Sequence, residues 1–184
     1  YFYLLFLSSF IIWNRKLDKP LVLTSRVKRF LSILLFVTLV INLLCFLSDN
    51  CYSAVLFIPL LITYIISHLL EKMFFISFKQ NAKKRLKSIE NLKIVAITAS
   101  YGKTSIKNYL HQVLKNKYIT YKTPRSVNTI AGIVLDVNRD LPQDTQIYIV
   151  EAGARAKGDI EEITKFLEPQ NVIIGSVGEQ HIEY

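Results

Sequence analysis

The segment of residues 94–105 contains an apolar run, a Gly-Lys-Thr sequence and the beginning of a helical pattern, in that order. Residues 94–98 are apolar and rich in β-branched side chains, which predicts a strand buried on both faces. A helix is predicted to begin just after Lys103, because the next apolar residues recur at helical spacing. These residues are Ile106, Tyr109, Leu110, Val113 and Leu114. A strand that turns through a glycine into a helix N-terminus is typical of a phosphate-binding loop.

The residues of this loop suit the phosphates of ATP and a magnesium ion. Lys103 is predicted to reach the terminal phosphates, Thr104 to offer its hydroxyl to Mg²⁺, and Gly102 to let the backbone pass close to the nucleotide. The most common form of the motif has a glycine six residues before the lysine, where this chain has Ile97. The alternative is therefore a plain helix start with a solvated Lys103, although the buried strand before it favours the phosphate loop. The predicted phosphate contacts are Ser100, Tyr101, Gly102, Lys103, Thr104 and Ser105.

Two nearly uncharged apolar runs, residues 30–47 and 54–70, each approach the roughly 20 residues that a helix needs to cross a bilayer. Residues 1–13 are apolar but shorter, and we interpret them as the remainder of another span, with a signal peptide as the alternative. Residues 1–70 are thus predicted to form a transmembrane region of about three spans, the first of them truncated. Buried core helices of a soluble protein are a further alternative, but such helices rarely lack a polar face over this length.

The charges of the loops predict an orientation in the membrane. The segments before and after the two long apolar runs are rich in Lys and Arg. The loop between the runs, residues 48–53, has Asp49 as its single charged residue. By the positive-inside rule, residues 15–29 and everything beyond Glu71 face the cytoplasm. We therefore expect a multi-pass protein of the inner (cytoplasmic) membrane, in contact with membrane lipid, with its nucleotide-binding part in the cytoplasm. The basic segment 71–90 is predicted to be a juxtamembrane linker.

The formal net charge of +9 does not indicate a nucleic-acid partner. Much of the positive charge flanks the apolar runs, where topology and anionic lipid headgroups explain it, and no nucleic-acid-binding motif of aromatic and basic residues accompanies it. The two cysteines, Cys45 and Cys51, have neither a metal-binding spacing nor the pattern of a disulfide framework. The sequence therefore assigns them no role.

The remaining sequence, residues 91–184, alternates strand and helix signals. The predicted elements after the first helix are strands at 118–121, 147–150 and 171–174 and a helical or mixed segment at 128–139. Another helix is predicted from Asp159, because Asp159-Ile-Glu-Glu162 has the spacing of a capping box. Strands that alternate with helices indicate an α/β domain with a parallel sheet.

Polar residues follow three of the predicted strands. Lys103 and Thr104 come after the first strand, Glu151 ends the strand at 147–150, and His181 lies a loop beyond the strand at 171–174. In such sheets ligands bind outside the carboxyl ends of the strands, so these residues are predicted to converge on one edge. A carboxylate at that edge can hold the Mg²⁺ that a nucleotide brings. Taken singly, Glu151 is also explained as an ordinary strand-end charge and His181 as a surface histidine.

Residues 97–105, ITASYGKTS, resemble the loop of the Mur ligase family, I-T-G-[ST]-x-G-K-[ST]-[ST], whose first glycine lies four residues before the lysine. Further similar segments are TPRSVNTIAG at 123–132, VEAGA at 150–154, GDI at 158–160, and the segments 171–174 and 181–183. The resemblance covers residues 91–184 in order. It implies that this region is the N-terminal part of the family's central ATP-binding domain, a P-loop domain with a parallel sheet.

The resemblance also implies an activity, that of an ATP-dependent amide ligase of peptidoglycan precursor synthesis. In this family ATP phosphorylates a carboxylate, and an amine then attacks the acyl phosphate. Lys103 would stabilise the transferring phosphoryl group, and Thr104 and Glu151 would hold one Mg²⁺. His181 would support a second Mg²⁺, and Asn128 would lie on the substrate side of the cleft. The form of residues 151–160 is most similar to the member that adds D-alanyl-D-alanine to UDP-N-acetylmuramoyl-tripeptide, so these are the expected substrates.

The chain departs from the family pattern in two ways. Ala99 stands where the family has its first glycine, and we expect its methyl group to crowd the backbone near the phosphates if this position requires a positive φ. The apolar N-terminal region also stands where these ligases carry a domain for the uridine nucleotide. A polyglutamate-type synthetase with a Mur-like core and a non-catalytic membrane protein with a nucleotide-binding fold are therefore alternatives. We expect the chain to be a fragment at both ends, since residues 91–184 are few for a whole ATPase domain.

Overall fold

The computed structural model describes residues 23–48 and 57–178. The chain divides into two compact units between Met73 and Phe74, at a point inside a helix. Residues 1–13, which the sequence indicates to be a truncated span, lie outside the described residues. The division of the chain at residues 70 and 90 stays a prediction.

Two long helices make up the described part of the first unit. Helix α1 spans Ser25–Ser48, and helix α2 spans Ile58–Ser88, with its residues up to Met73 in this unit. Both helices are long and apolar enough to cross a membrane, by length and composition. Only 6% of the most apolar window of each helix is buried, so most of its apolar side chains are exposed.

An ion pair joins α1 to α2 within the first unit. Arg29 Nε and Nη2 donate to Glu71 Oε1 at 3.0 and 2.5 Å, and Arg26 Nε lies 3.7 Å from Glu71 Oε2. Cys45, near the C-terminal end of α1, is disulfide-bonded. The sequence pattern assigns Cys45 no role, and the disulfide corrects this.

The basic C-terminal part of α2 is a packed helix of the second unit. The helix continues without a break through the segment that the sequence indicates to be a linker, and it ends at Ser88. Ala82 and Leu86 are buried in the core of the second unit. Arg85 Nη2 donates to Leu141 O at 2.6 Å and Nη1 donates to Asn138 O at 3.3 Å. These contacts fix the basic segment within the unit that carries the phosphate-loop motif.

The second unit contains a four-stranded parallel sheet in the order β2-β3-β1-β4. Its elements after α2 are β1 (Lys93–Thr98), α3 (Lys103–Leu114), β2 (Thr120–Lys122), α4 (Ile130–Arg139), β3 (Ile147–Glu151), α5 (Asp159–Leu167) and β4 (Asn171–Ile174). The α/β class and the parallel sheet are confirmed. Because all four strands run in one direction, their carboxyl ends lie at the same edge of the sheet.

Apolar side chains cover both faces of this sheet. On one face, α3 packs through Ile106, Leu110 and Leu114 against buried residues of β1 and β3. On the other face, α4, α5 and the end of α2 enclose the larger apolar cluster. β1 and β3 lie between these layers, and Ile97 and Ile149 are fully buried. Burial on both faces explains why these two strands are continuous apolar runs in the sequence.

The start of α5 differs from the predicted capping box. Gly158, with φ of 100°, occupies the N-cap position, and no side chain caps the helix. The Asp159 carboxylate instead accepts hydrogen bonds from the backbone N–H groups of Arg155 and Ala156 at 2.8 and 2.9 Å. These bonds lower the pKa of Asp159 below its ordinary value. A capping box would direct the Asp159 side chain to the backbone of α5. In this structure it stabilises the turn that precedes α5, because this turn presents two backbone N–H donors.

Candidate nucleotide-binding site

A cleft of about 470 Å³ opens at the carboxyl edge of the sheet. Its wall is formed by the loop between β1 and α3, the segment after β3 and the segment after β4. The lining residues include Thr98, Ser100, Lys103, Arg155, Lys157, Ile160 and Val177. The exposed cations Arg155 and Lys157 stand with Lys103 at this cleft, so its charge suits an anionic ligand.

The loop after β1 has the backbone geometry of a tight turn into a helix. Gly102 has φ of 79°, a conformation that favours glycine, and it is the N-cap of α3. Lys103 Nζ donates to the backbone carbonyls of Ala99 at 2.6 Å and Ser100 at 3.2 Å. The ammonium group is thus held over the loop, at the positive end of the α3 dipole. Both features attract an anion to this position.

Ser100 joins the loop to the segment that follows β4. Its N–H donates to Ser176 O at 2.8 Å, and its hydroxyl donates to Gly178 O at 2.8 Å and accepts from Gly178 N–H at 2.9 Å. The phosphate contact predicted for Ser100 stays a prediction, and in this structure its hydroxyl serves to hold the two loops together. Two further predicted contacts have exposed side chains: Tyr101 lies just before α3, and Ser105 lies in its first turn.

Ala99 fits into this loop without backbone strain. It is not among the described residues with positive φ, so the condition under which its methyl group would crowd the loop is not met. Gly175 makes the space for it, since a Cβ built on Gly175 would lie 2.8 Å from Ala99 Cβ. The glycine that the family places in the loop is thus replaced by an alanine that packs against a glycine on the next strand end.

Thr104 and Glu151 meet behind the loop. Glu151 is the last residue of β3, pairs with Ile97 of β1 in register and is 1% exposed. Thr104 Oγ1 donates to Glu151 Oε2 at 3.2 Å. A carboxylate and a hydroxyl are the oxygen ligands that Mg²⁺ prefers. The Thr104 hydroxyl and Glu151 Oε2 are thus two neighbouring oxygens behind the phosphate loop that fit a magnesium site.

Lys107 is a third member of this cluster that the sequence reasoning missed. Its side chain is 1% exposed, and its Nζ lies 2.6 Å from Glu151 Oε1. Nζ also donates to Thr123 O at 2.8 Å and to Arg125 O at 2.5 Å, so the buried ammonium has one ion-pair partner and two hydrogen-bond acceptors. The signal in the sequence is its spacing: Lys107 is three residues after Thr104, and residues at this spacing share one face of a helix.

Asn128 lies beside the segment that leaves β3. Its backbone carbonyl oxygen accepts a hydrogen bond from Gly153 N–H at 2.9 Å. A Cβ built on Gly153 would lie 2.8 Å from Asn128 Cγ and Nδ2, so only a glycine lets the amide pack here. The structure therefore brings Asn128 close to the strand end that carries Glu151, and its contact with a substrate stays a prediction.

His181 lies outside the described residues, so its predicted approach to this edge stays a prediction. Within residues 23–48 and 57–178, no group of three or more His, Cys, Asp or Glu side chains forms a metal site. Among the described residues, the Thr104 hydroxyl and the Glu151 carboxylate are the neighbouring oxygens that a magnesium ion at this edge could take as ligands.

The parallel sheet, the glycine turn into α3 and the acidic end of β3 define an α/β domain of the phosphate-loop class. Comparison with known families gives the particular family, since residues 97–184 match the Mur ligase middle domain. Residues 97–184, about half of the chain, are thus similar to part of the middle domain of this family.

Two relatives with similar sequences are ligases of the same name. The chain is 32% identical over 107 residues to the UDP-N-acetylmuramoyl-tripeptide--D-alanyl-D-alanine ligase of Bacillus subtilis (strain 168). The aligned region covers 58% of this chain and 23% of the relative. The ligase of the same name from Rickettsia prowazekii (strain Madrid E) is also 32% identical, over 59% of this chain and 24% of the relative. The chain therefore spans about a quarter of the length of these relatives.

Solved structures give the same result for the fold. The MurF ligase of Thermotoga maritima in complex with ADP has a TM-score of 0.54 and 31% identity, and the match covers 58% of this chain and 24% of the ligase. The corresponding ligase of Acinetobacter baumannii has a TM-score of 0.55 and 27% identity, over 59% of this chain and 24% of the ligase.

Proposed function

We propose that the whole protein is an ATP-dependent amide ligase that adds D-alanyl-D-alanine to UDP-N-acetylmuramoyl-tripeptide. The observation that carries the proposal is the contact of Thr104 with Glu151 directly behind a glycine-lysine turn. Two ligases of that name, from Bacillus and Rickettsia, match this region, and a related ligase has been solved with ADP. ATP and Mg²⁺ are accordingly the proposed cofactors.

The residues of the loop would bind and orient the triphosphate. Lys103, held over the loop by two carbonyl groups, would turn toward the terminal phosphate and stabilise the charge that develops as the phosphoryl group leaves. Thr104 and Glu151 would hold Mg²⁺, which neutralises phosphate charge when bound. The phosphoryl group would pass to the carboxylate of the nucleotide-linked peptide and give an acyl phosphate. The amine of D-alanyl-D-alanine would attack its carbonyl carbon and release phosphate.

We place the substrate on the side of the cleft that holds Arg155, Lys157 and Asn128. The two cations are exposed at the cleft, where they would attract the anionic nucleotide-peptide. His181 would support a second Mg²⁺ next to the acyl phosphate. Nucleic acid is not a proposed ligand.

We further propose that the protein is anchored in the cytoplasmic membrane by α1 and α2, with the α/β unit in the cytoplasm. The exposed apolar side chains of both helices support contact with lipid. The basic residues on either side of the apolar runs support the orientation. The disulfide at Cys45 agrees with it, since disulfides persist in oxidising compartments, and Cys45 lies at the end of α1 away from Arg26 and Arg29.

The experiment that tests the proposal is a product assay with the full-length protein in detergent. The protein is incubated with ATP, Mg²⁺, UDP-N-acetylmuramoyl-tripeptide and D-alanyl-D-alanine, and the products are identified by mass spectrometry. We expect the pentapeptide product together with ADP and phosphate, and no product from the Lys103→Ala variant. Lys117→Ala, a change of an exposed lysine beyond α3, serves as the control. Product formed only with glutamate as the amine would favour the polyglutamate-type alternative, and no ATP consumption with any pair would contradict a ligase.

A further inference from the structure

Lys107 is an almost fully buried cation that the proposed reaction does not use. Its side chain is 1% exposed, although burial of a lysine is costly unless its charge is compensated. The compensating charge is Glu151, which is also 1% exposed, with the two charged atoms 2.6 Å apart. Thr104, on the same helix as Lys107, contacts the other oxygen of this carboxylate.

The two carboxylate oxygens of Glu151 thus contact different groups. Oε1 faces the Lys107 ammonium, whereas Oε2 faces the Thr104 hydroxyl behind the phosphate loop. Rotation of the carboxylate from this orientation would move Oε2 away from Thr104 and Oε1 away from the Lys107 ammonium. The ammonium itself is fixed, because Thr123 O and Arg125 O accept two of its hydrogen bonds.

These carbonyl groups belong to the segment after β2, in which Arg125 has a positive φ of 48°. The cation therefore connects three parts of the site: the phosphate-loop helix α3, the end of β3 and the loop that leads to Asn128. An apolar side chain of similar length would fill the space but would leave Glu151 as an uncompensated buried charge.

We propose that Lys107 is a positioning residue that holds the Glu151 carboxylate with Oε2 directed to Thr104. It does so by compensating the charge at Oε1 and by anchoring itself to the carbonyl groups of Thr123 and Arg125. The inference rests on the proposed function where it concerns Mg²⁺, because the orientation matters for the metal ligands. The electrostatic coupling of Lys107 to Glu151 stands without any metal.

The first arm of the test is a double-mutant cycle on stability, which requires neither nucleotide nor metal. Denaturant unfolding of the full-length protein is compared for wild type, Lys107→Met, Glu151→Gln and the double variant. Each single change leaves a buried charge alone, so we expect both to lower the unfolding midpoint, and the double variant to recover most of the loss. If Lys107→Met does not fold but the double variant does, the coupling is supported. Additive losses, or a double variant that also fails to fold, would overturn it.

The second arm measures the effect on metal binding apart from nucleotide binding. Mg²⁺ is titrated against a fluorescent ATP analogue bound to the full-length protein. For Lys107→Met we expect the Mg²⁺ concentration at half-saturation to rise about 10- to 100-fold, as for changes in groups that orient metal ligands. Binding of the metal-free analogue should change little. Lys122→Met is the matched control, since Lys122 contacts Asn108 of α3 at 2.6 Å but does not contact Glu151.

The two arms separate failure of the inference from failure of the proposed function. If wild type binds the Mg²⁺–nucleotide and Lys107→Met has the same half-saturation, the positioning role is wrong and the proposed function stands. If wild type binds no nucleotide with or without Mg²⁺, the proposed function is wrong. The stability cycle still decides whether Lys107 holds Glu151.

Discussion

Ala99 and Gly175 lie against each other just beyond the paired ends of β1 and β4. A Cβ built on Gly175 would lie 2.8 Å from Ala99 Cβ, and Gly175 N–H donates to Thr98 O at 2.8 Å. The two strand ends approach this closely because one of the facing residues has no side chain. The methyl group in the phosphate loop and the glycine after β4 therefore form a matched pair.

This pairing predicts the effect of Gly175→Ala. The added methyl group would meet Ala99, so we expect a loss of about 1–3 kcal/mol in the free energy of unfolding and weaker ATP binding. The double variant Ala99→Gly/Gly175→Ala should recover most of the lost stability and of the lost ATP affinity, because it moves the methyl group from one partner to the other. Denaturant unfolding and nucleotide titration check this. A double variant as impaired as Gly175→Ala alone would show that the contact is not the cause.

The contact between Thr104 and Glu151 predicts a requirement for the hydroxyl group at position 104. Thr104→Val keeps the shape but removes the oxygen, so we expect the Mg²⁺ concentration for half-maximal ATP turnover to rise and the rate to fall by about 100-fold or more. Thr104→Ser retains the oxygen and is the matched control. Equal Mg²⁺ dependence of the Val and Ser variants would show that Thr104 is not a metal ligand.

The buried Asp136 predicts a pH dependence of stability. Burial raises the pKa of Asp136 above its ordinary value, although the hydroxyl groups of Tyr148 and Tyr121 donate to its two oxygens at 2.6 and 2.8 Å and oppose the rise. The folded protein therefore binds this proton more tightly than the unfolded chain does. The contribution of Asp136 to stability must fall as pH rises from about 4 through the raised pKa.

The measurement for Asp136 is the free energy of unfolding as a function of pH. We expect the difference between wild type and Asp136→Asn to change across this window, with wild type losing stability relative to the variant as pH rises. Asp144→Asn alters an exposed carboxylate and is the control. Parallel curves for wild type and Asp136→Asn would contradict the effect of burial.

The proposed membrane orientation predicts which positions a membrane-impermeant thiol reagent reaches. In a background with Cys45→Ser and Cys51→Ser, Lys84→Cys should react only after the cells are permeabilised, because residue 84 lies in the basic part of α2. Asp49→Cys, in the loop between the two apolar runs, should react in intact cells. Labelling of Lys84→Cys in intact cells would contradict the orientation and the access of Lys103 to cytoplasmic ATP.

Most of the fold follows from local patterns in the sequence. The apolar run at β1, the glycine turn and the periodicity of α3 each arise from neighbouring residues, so their positions are predictable within a residue or two. The same holds for β3 and β4. The continuation of α2 to Ser88 is not predictable in this way, because Ala82 and Leu86 are buried by tertiary contacts with distant elements.

The candidate site is less predictable than the fold. Thr104 and Glu151 follow from a motif and a strand end, which the parallel topology then brings to one edge. Lys107 does not, because a lysine on a helix is normally solvated and is buried here only through Glu151 and the carbonyl groups of Thr123 and Arg125. The fit of Ala99 likewise depends on Gly175, a partner that only the three-dimensional structure reveals.

The central claim is that this site transfers a phosphoryl group from ATP to a carboxylate, and an oxygen-isotope experiment tests it most directly. The full-length protein is given UDP-N-acetylmuramoyl-tripeptide labelled with ¹⁸O in its terminal carboxylate, together with ATP, Mg²⁺ and D-alanyl-D-alanine. Formation of an acyl phosphate makes one carboxylate oxygen the bridge to phosphorus, and attack by the amine leaves that oxygen on phosphate. We predict one ¹⁸O atom in each phosphate released by wild type. Phosphate that is released without ¹⁸O would contradict the claim.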